Sequence, residues 1–235
     1  MEKKSALTKD FPTPMTVWVP MLLALTLPIF YFYYGRYNSY ERFFSSPGAE
    51  ATLSPYLFEW IFAIVLFGIV PLLASIGLLG TKPKESGFSL GSFSKIWLIF
   101  LLSMALIILY AWGAARFYEF QEIYPRYKLI GMENDGIVMI YYTTLIIAIL
   151  FREFFFRGFL LQALKVRLGG WGAIIFTAAI SSPLYLNGSP VESTLAIPLN
   201  LIFGWIAYKS GSVFYTAILS ALWFIAIDWF IILGI

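Results

Sequence analysis

Residues 151–160, FREFFFRGFL, place three charged side chains inside an apolar run long enough to cross a membrane. The charged residues are Arg152, Glu153 and Arg157. A charge in hydrocarbon is costly, so such residues usually mark a functional site. Their excess of one positive charge favours binding of an anionic group, such as a lipid headgroup, a carboxyl terminus or a partner's acidic side chain. The alternative is an ion pair between Glu153 and Arg157, one helical turn apart, that serves packing alone.

The chain contains no His and no Cys. The side chains that most often activate water or hold zinc are therefore missing, and disulfides are excluded. With a single Glu near the charged motif, we predict no functional metal and no cofactor.

The last apolar stretch carries another intramembrane charge, Asp228, on the same helical stripe as Ser220 and Phe224. An Asp228–Arg152 pair would join two antiparallel spans. Counting helix positions puts the two residues about 15 Å apart in depth, at 1.5 Å per residue. We therefore expect Asp228 to lie at a membrane interface beside Trp229, and we retain it with Arg152 and Arg157 as a candidate binding residue.

The composition predicts an all-α polytopic membrane protein. Hydrophobic residues make up 60% of the chain and charged residues 12%, with a mean hydropathy of +0.80, outside the usual range of soluble domains. About seven apolar stretches could form transmembrane helices. They are residues 15–35, 57–80, 95–117, 136–156, 171–186, 195–208 and 212–233.

The distribution of basic residues predicts a cytoplasmic N-terminus. We expect the protein to lie in a prokaryotic cytoplasmic membrane. The cytoplasmic side would then hold Lys3, Lys4, Lys9, Lys82, Lys84, Lys95, Lys165, Arg167 and Lys209. The other side would hold only Arg36, Arg42, Arg116, Arg126 and Lys128. The net charge of +3 thus reflects topology, and we predict no nucleic-acid partner.

Three connections divide the chain. Residues 38–55, with Ser45-Ser46-Pro47-Gly48, and residues 118–135 are the longer loops on the non-cytoplasmic side. Residues 81–94, TKPKESGFSLGSFS, separate the first two predicted spans from the others. We therefore predict an N-terminal two-helix extension at residues 1–85 and a compact membrane core at residues 86–235.

Residues 152–174, REFFFRGFLLQALKVRLGGWGAI, resemble the first motif of the CPBP family, also called the Abi or CAAX-protease-like family. Its members are intramembrane endopeptidases of the type II CAAX prenyl kind, with bacteriocin-processing and self-immunity proteins. The family pattern is Glu-Glu-x-x-x-Arg, commonly followed by Gly and then Trp-Gly-Ala. This chain has Glu153, Arg157 and Gly158 at matching spacing, and Trp171-Gly172-Ala173 at the next helix. The resemblance implies a CPBP-like helical core.

The departures from the family pattern concern the residues that the resemblance implies to be catalytic. Arg152 stands where the family has the Glu taken as general base. The positions of the family's His residues, and of an Asn or Asp, fall at about Tyr185, Ser220 and Phe224. A guanidinium is protonated at any accessible pH and cannot activate water. We therefore expect no catalytic residues and a cavity re-lined by Arg152, Tyr185 and Phe224.

The sequence thus favours a non-catalytic membrane protein, acting as a binding or scaffold protein or as an accessory subunit of a membrane complex. Its expected partners are membrane lipid and another integral membrane protein. One alternative is a CAAX-type intramembrane endopeptidase that uses Glu153, or a bacteriocin self-immunity protein. A small transporter is a second alternative, although no pair of broken helices lies at matching positions in two halves.

Overall fold

A computed structural model describes residues 15–44, 52–185 and 188–235 of the chain. Several sequence predictions fall outside these ranges. They concern Lys3, Lys4 and Lys9, the Ser45-Ser46-Pro47-Gly48 part of the first long connection, and Leu186 at the end of the fifth predicted span.

The described residues form helices and turns, without a strand among them. The α-helices are α1 (Met15–Phe30), α2 (Tyr40–Phe44), α3 (Ser54–Ile64), α4 (Val70–Leu73), α5 (Trp97–Ala114), α6 (Tyr118–Ile123), α7 (Asp135–Glu153), α8 (Leu161–Ser181), α9 (Pro190–Ser210) and α10 (Phe214–Leu233). Six continuous helical segments are long and apolar enough to cross a membrane. The predicted all-α membrane class is confirmed.

The six segments agree with about seven predicted spans, because the fourth and fifth predicted spans are two arms of one helical segment, Asp135–Tyr185. The chain reverses at Gly169, which has φ 69° and ψ 173°. Glycine adopts this left-handed conformation without a steric penalty, so the reversal needs no separate loop. After it, Gly170 lies against Tyr208 and Ile174 against Gly204. The second arm is therefore antiparallel to α9.

The helix starts follow local capping rules. The side chain of Asn134 accepts a hydrogen bond from the backbone N–H of Ile137 at 3.2 Å and begins α7. Ser189 caps α9 in the same way, through Glu192 N–H at 3.1 Å, and Pro190 occupies the first turn. As a result α9 begins five residues before the predicted sixth span.

Helices α7 and α10 run antiparallel through the centre of the bundle. Tyr141 meets Asp228 near one end, and Glu153 meets Ser220 further along. Helix α5 packs on the outer side of α10, and α3 packs on α7. The N-terminal helices share the main apolar core with the rest of the chain, since Trp60 and Phe67 cluster with Phe155. The domain boundary at residue 85 stays a prediction.

The π-helical segment Phe154–Leu160 joins α7 to α8 directly after Glu153. Such segments often lie at functional positions. Its Gly158 lies so close to the backbone oxygen of Ser86 that a Cβ atom would overlap it. Because Gly158 has no side chain, residues 81–94 can pack closely against it. The same residues also contact the turn between α9 and α10, where Ser89 Oγ donates a hydrogen bond to the Gly211 carbonyl at 3.1 Å.

The connection from residue 118 to residue 135 folds back over the bundle. Phe120 and Tyr124 are buried against Ala111 and Ile227. This connection covers one end of the bundle, which we call the Arg126 end. It includes the last residues of α1 and α5 and the first residues of α3, α7 and α9.

Candidate functional site

Glu153 is fully buried, and one of its carboxylate oxygens accepts two hydrogen bonds. Arg157 Nη1 and Ser220 Oγ each lie 3.1 Å from Oε1. The other oxygen, Oε2, has no hydrogen-bond partner among the described residues. The carboxylate is therefore fixed in place by its own helical segment and by α10.

Arg157 extends this network to two further helices. Its Nη2 donates to Asn200 Oδ1, and Asn200 Nδ2 donates to Ser182 Oγ at 3.0 Å. Arg157 is 2% exposed and Asn200 3% exposed. Buried ion pairs are tolerated when additional hydrogen bonds satisfy their remaining polar atoms, as the amide of Asn200 does here. Asn200 therefore forms hydrogen bonds between helical segments.

Arg152 points away from this network and lies against two aromatic rings. Its Cζ is 5.3 Å from the ring centre of Tyr185 and 5.8 Å from that of Phe224. Cation–π attraction holds the guanidinium there. Its Nε and Nη2 atoms are buried and have no hydrogen-bond partner among the described residues. Among the residues described, Arg152 therefore has no hydrogen bond at Nε and Nη2, whereas Arg157 donates to Glu153 and Asn200.

The structure thus brings together six of the seven residues singled out from the sequence. They are Arg152, Glu153, Arg157, Tyr185, Ser220 and Phe224. Asp228 lies elsewhere, because its Oδ2 accepts a hydrogen bond from Tyr141 at 3.1 Å on the first part of α7. It is 1% exposed, so it is buried within the bundle next to Trp229. Its depth at a membrane interface stays a prediction.

Two small cavities adjoin Arg152, with volumes of about 60 and 40 Å³. They continue toward the Arg126 end past Tyr31, Glu59 and Arg126. Cavities of this size hold a few water molecules and no peptide segment. Glu153 lines neither of them.

Glu59 was missed in the sequence, where Asp228 was named as the remaining intramembrane charge. It lies in the second candidate span, is 4% exposed, and accepts hydrogen bonds from Tyr31 OH at 2.7 Å, Arg126 Nη2 at 2.9 Å and Tyr37 N–H at 2.9 Å. Burial lowers the pKa of Arg126, but the Glu59 carboxylate outweighs that effect and the pKa is raised above its ordinary value. The sequence feature that could have identified Glu59 is a Glu within an apolar run, which is the feature that identified Glu153.

Glu192 is a second buried carboxylate near the Arg126 end. Its Oε1 accepts hydrogen bonds from Tyr124 OH at 2.6 Å and Trp223 Nε1 at 3.3 Å, while Oε2 has no partner among the described residues. Burial and the Glu192 charge raise the pKa of Tyr124 well above its usual value. The phenol therefore stays neutral and donates a hydrogen bond to the carboxylate.

A larger apolar groove, of about 410 Å³, lies between α5, α9 and α10. Its wall includes Leu106, Ile107, Leu199, Phe203, Trp223 and Phe224. The rim residues Leu106 and Ile202 are 64% and 38% exposed, in the middle of their candidate spans. The groove therefore opens on the side of the bundle, at the depth of lipid chains. Ser220 and Asn200 lie in its inner wall, and Glu153 does not.

Among residues 15–44, 52–185 and 188–235, no three acidic side chains come together as a metal site would require. The absence of a functional metal stays a prediction.

Comparison with known families identifies residues 134–226 as matching the family described as type II CAAX prenyl endopeptidase Rce1-like. No curated protein and no solved structure matches the chain. The matched region runs from the cap of α7 into α10 and contains Arg152, Glu153, Arg157, Tyr185, Ser220 and Phe224, while Glu59 and Asp228 lie outside it. The resemblance to the CPBP family is confirmed. Residues 134–226 are therefore similar to the Rce1-like endopeptidases of the CPBP family, and they lie within a chain whose apolar helical segments mark an integral membrane protein.

Proposed function

We propose that this chain is a non-catalytic Rce1-like protein that binds the apolar chain of another membrane component in the groove between α5, α9 and α10. The observation that carries the proposal is the state of Glu153. This carboxylate is fully buried, bonded to Arg157 and Ser220, and next to a permanently protonated Arg152.

Peptide hydrolysis needs a base within reach of a water molecule and donors for the developing oxyanion. Glu153 lines neither the two small cavities nor the groove, so none of the three brings water or a peptide to it. Arg152 cannot accept a proton. The rings of Tyr185 and Phe224 lie against Arg152, beside the two small cavities.

The groove supports a binding role because its walls are apolar and it opens where lipid chains lie. Its size falls within the usual range of ligand pockets. Two polar groups in its wall have no hydrogen-bond partner among the described residues, the hydroxyl of Tyr110 and Oε2 of Glu192. Both lie toward the Arg126 end. An apolar chain that carries a hydrogen-bond donor at one end would satisfy Glu192 and fill the groove.

The experiment is photo-crosslinking with a phospholipid that carries a diazirine in its acyl chain, followed by peptide mapping. Labelling is expected on the facing surfaces of α5, α9 and α10. Leu106→Trp, at the rim, should reduce this labelling several-fold. Leu109→Trp is the matched control, since Leu109 is 62% exposed on the same helix and does not line the groove. Equal labelling in both variants would contradict binding in the groove.

A further inference from the structure

The larger of the two small cavities beside Arg152, of about 60 Å³, adjoins the apolar groove. We call it the Arg152 cavity. Tyr185, Glu192 and Phe224 line both the Arg152 cavity and the groove. The cavity and the groove are therefore neighbours, with these three side chains between them.

Glu192 brings an unused hydrogen-bond acceptor to this boundary. It is 8% exposed, and its Oε1 accepts hydrogen bonds from Tyr124 and Trp223, while Oε2 has no partner among the described residues. Gly188 lines the same cavity, and a Cβ atom there would overlap Oε2. Because position 188 carries no side chain, Oε2 can accept a hydrogen bond from a group in the cavity.

Arg152 brings unused hydrogen-bond donors to the same cavity. The rings of Tyr185 and Phe224 lie against its guanidinium, and the Glu153 carboxylate acts on its charge. These contacts offset the charge but fill neither Nε nor Nη2, which have no partner in the described part of the chain. Arg152 therefore lacks a hydrogen-bond acceptor, and this conclusion does not depend on the net charge of the cavity.

The other charged residues in this wall are Arg36, Glu59 and Arg126. Arg126 donates to Glu59 at 2.9 Å, and Glu59 accepts two further hydrogen bonds. Arg36 is likewise in contact with other groups of the chain. Of the charged residues described in this wall, Arg152 and Glu192 are therefore the two with buried atoms that have no hydrogen-bond partner.

Arg152 and Glu192 together select a head group that both accepts and donates hydrogen bonds. An anionic head would accept from Arg152 but be repelled by Glu192, and a cationic head would be attracted to Glu192 but repelled by Arg152. A hydroxyl both donates and accepts, so an uncharged head with two hydroxyls can bind both residues. The cavity has room for about four to six groups the size of a water molecule. That size matches a glycerol head and is too small for a phosphodiester headgroup.

We propose that the groove binds a lipid of the monoacylglycerol class, whose uncharged glycerol head enters the Arg152 cavity. Arg152 donates to one head oxygen, and Glu192 Oε2 accepts from the other hydroxyl. The apolar chain lies between α5, α9 and α10. The inference rests on the proposed function of the groove and adds the chemical class of the head.

The test is photo-crosslinking of the purified full chain, in neutral detergent, with a monoacylglycerol that carries a diazirine in its acyl chain. An alkyl sulfonate and an alkyltrimethylammonium with the same diazirine chain are the anionic and cationic comparison probes. The monoacylglycerol should label the facing surfaces of α5, α9 and α10 with an apparent Kd about tenfold lower than either charged probe. Equal Kd values for labelling by all three probes would overturn the head-group inference and leave groove binding intact. Labelling there by none of them would contradict groove binding itself.

Two substitutions should change the preference in different ways. Arg152→Met should weaken binding of the monoacylglycerol about tenfold, the loss expected for one hydrogen bond to a charged group, and should strengthen binding of the trimethylammonium probe. Glu192→Gln should retain the monoacylglycerol, because an amide oxygen still accepts, and should strengthen binding of the sulfonate. Glu119→Gln, at an exposed carboxylate of α6 that lines neither the cavity nor the groove, is the matched control and should change no Kd. Unchanged Kd values for all three probes in both Arg152→Met and Glu192→Gln would overturn the proposal.

Discussion

Arg157 donates to Glu153 from one helical turn away, with 3.1 Å between Nη1 and Oε1, and both side chains are almost completely buried. The pair occupies the part of the family motif that this chain retains. Removal of one member of a buried pair leaves an uncompensated charge, whereas replacement of both by apolar residues can be nearly neutral.

We therefore expect Arg157→Ala to lower the free energy of unfolding by roughly 3–5 kcal/mol. The combination of Glu153→Leu with Arg157→Met should recover much of the loss. Thermal unfolding in detergent measures both effects. Arg167→Ala, at an exposed arginine of α8, is the control and should change stability little. An unchanged transition in Arg157→Ala would show that the pair does not hold the bundle together.

The two arginines of the motif should respond differently to the same substitution. Within the described part of the chain, Arg152 has cation–π contacts and no hydrogen bonds at Nε and Nη2, while Arg157 bridges Glu153 and Asn200. Cation–π contacts contribute roughly 0.5–2 kcal/mol, against a desolvation cost of several kcal/mol for a buried ion. Arg152→Met should therefore leave stability unchanged or raise it, and Arg157→Met should lower it. Equal losses would mean that Arg152 has a strong partner.

Gly158 should not tolerate a side chain. A Cβ there would overlap the Ser86 backbone oxygen and lie 3.1 Å from both Phe154 and Val213. We expect Gly158→Ala to cost about 1–3 kcal/mol through overpacking. Gly113→Ala is the matched control, because Gly113 lies within α5 with no neighbouring atom within 4 Å of an added Cβ. That change should be stabilising by about 0.5–1 kcal/mol. Similar effects at both positions would argue against the close contact at Ser86.

Glu59 and Arg126 should be energetically coupled. They join the second candidate span to the connection between α6 and α7, and Arg126 is the more exposed member, with 20% of its side chain accessible. Hydrogen bonds to charged groups contribute about 1.5–3 kcal/mol, and partial exposure places this pair at the lower end. Glu59→Gln and Arg126→Gln, singly and together, form a double-mutant cycle. A coupling energy within error of zero would mean that the contact does not stabilise the chain.

The sequence alone predicted the all-helical class. It also predicted that Arg152, Glu153, Tyr185 and Phe224 lie at one site. Hydropathy is enough to predict the helical class, because it depends on residues that are near one another in sequence. The spacing of the family motifs is enough to predict the grouping of the site residues, because those motifs occupy fixed positions on their helices. The Glu59–Arg126 pair joins residues 67 positions apart and depends on how the connection folds back. The reversal at Gly169 agrees with the predicted separate spans at residues 136–156 and 171–186, whereas its positive φ could not be predicted because one glycine conformation has no hydropathy signal.

The groove could not be predicted for a related reason. It is formed by residues from three helices, and its volume depends on the spacing of those helices. The sequence showed Arg36, Arg42, Arg126 and Lys128 only as basic residues expected on one side of the membrane. The structure places these four side chains around one cavity. The side of the membrane on which that cavity lies stays a prediction.

The central claim is that this chain does not cleave peptides. The measurement is hydrolysis of a prenylated CAAX peptide by the purified chain in liposomes, beside Glu153→Gln and an active Rce1-like endopeptidase as the positive control. The account predicts no cleavage by the chain above the level of Glu153→Gln, under conditions in which the control enzyme is active. Cleavage that is present in the unmodified chain and lost in Glu153→Gln would contradict it.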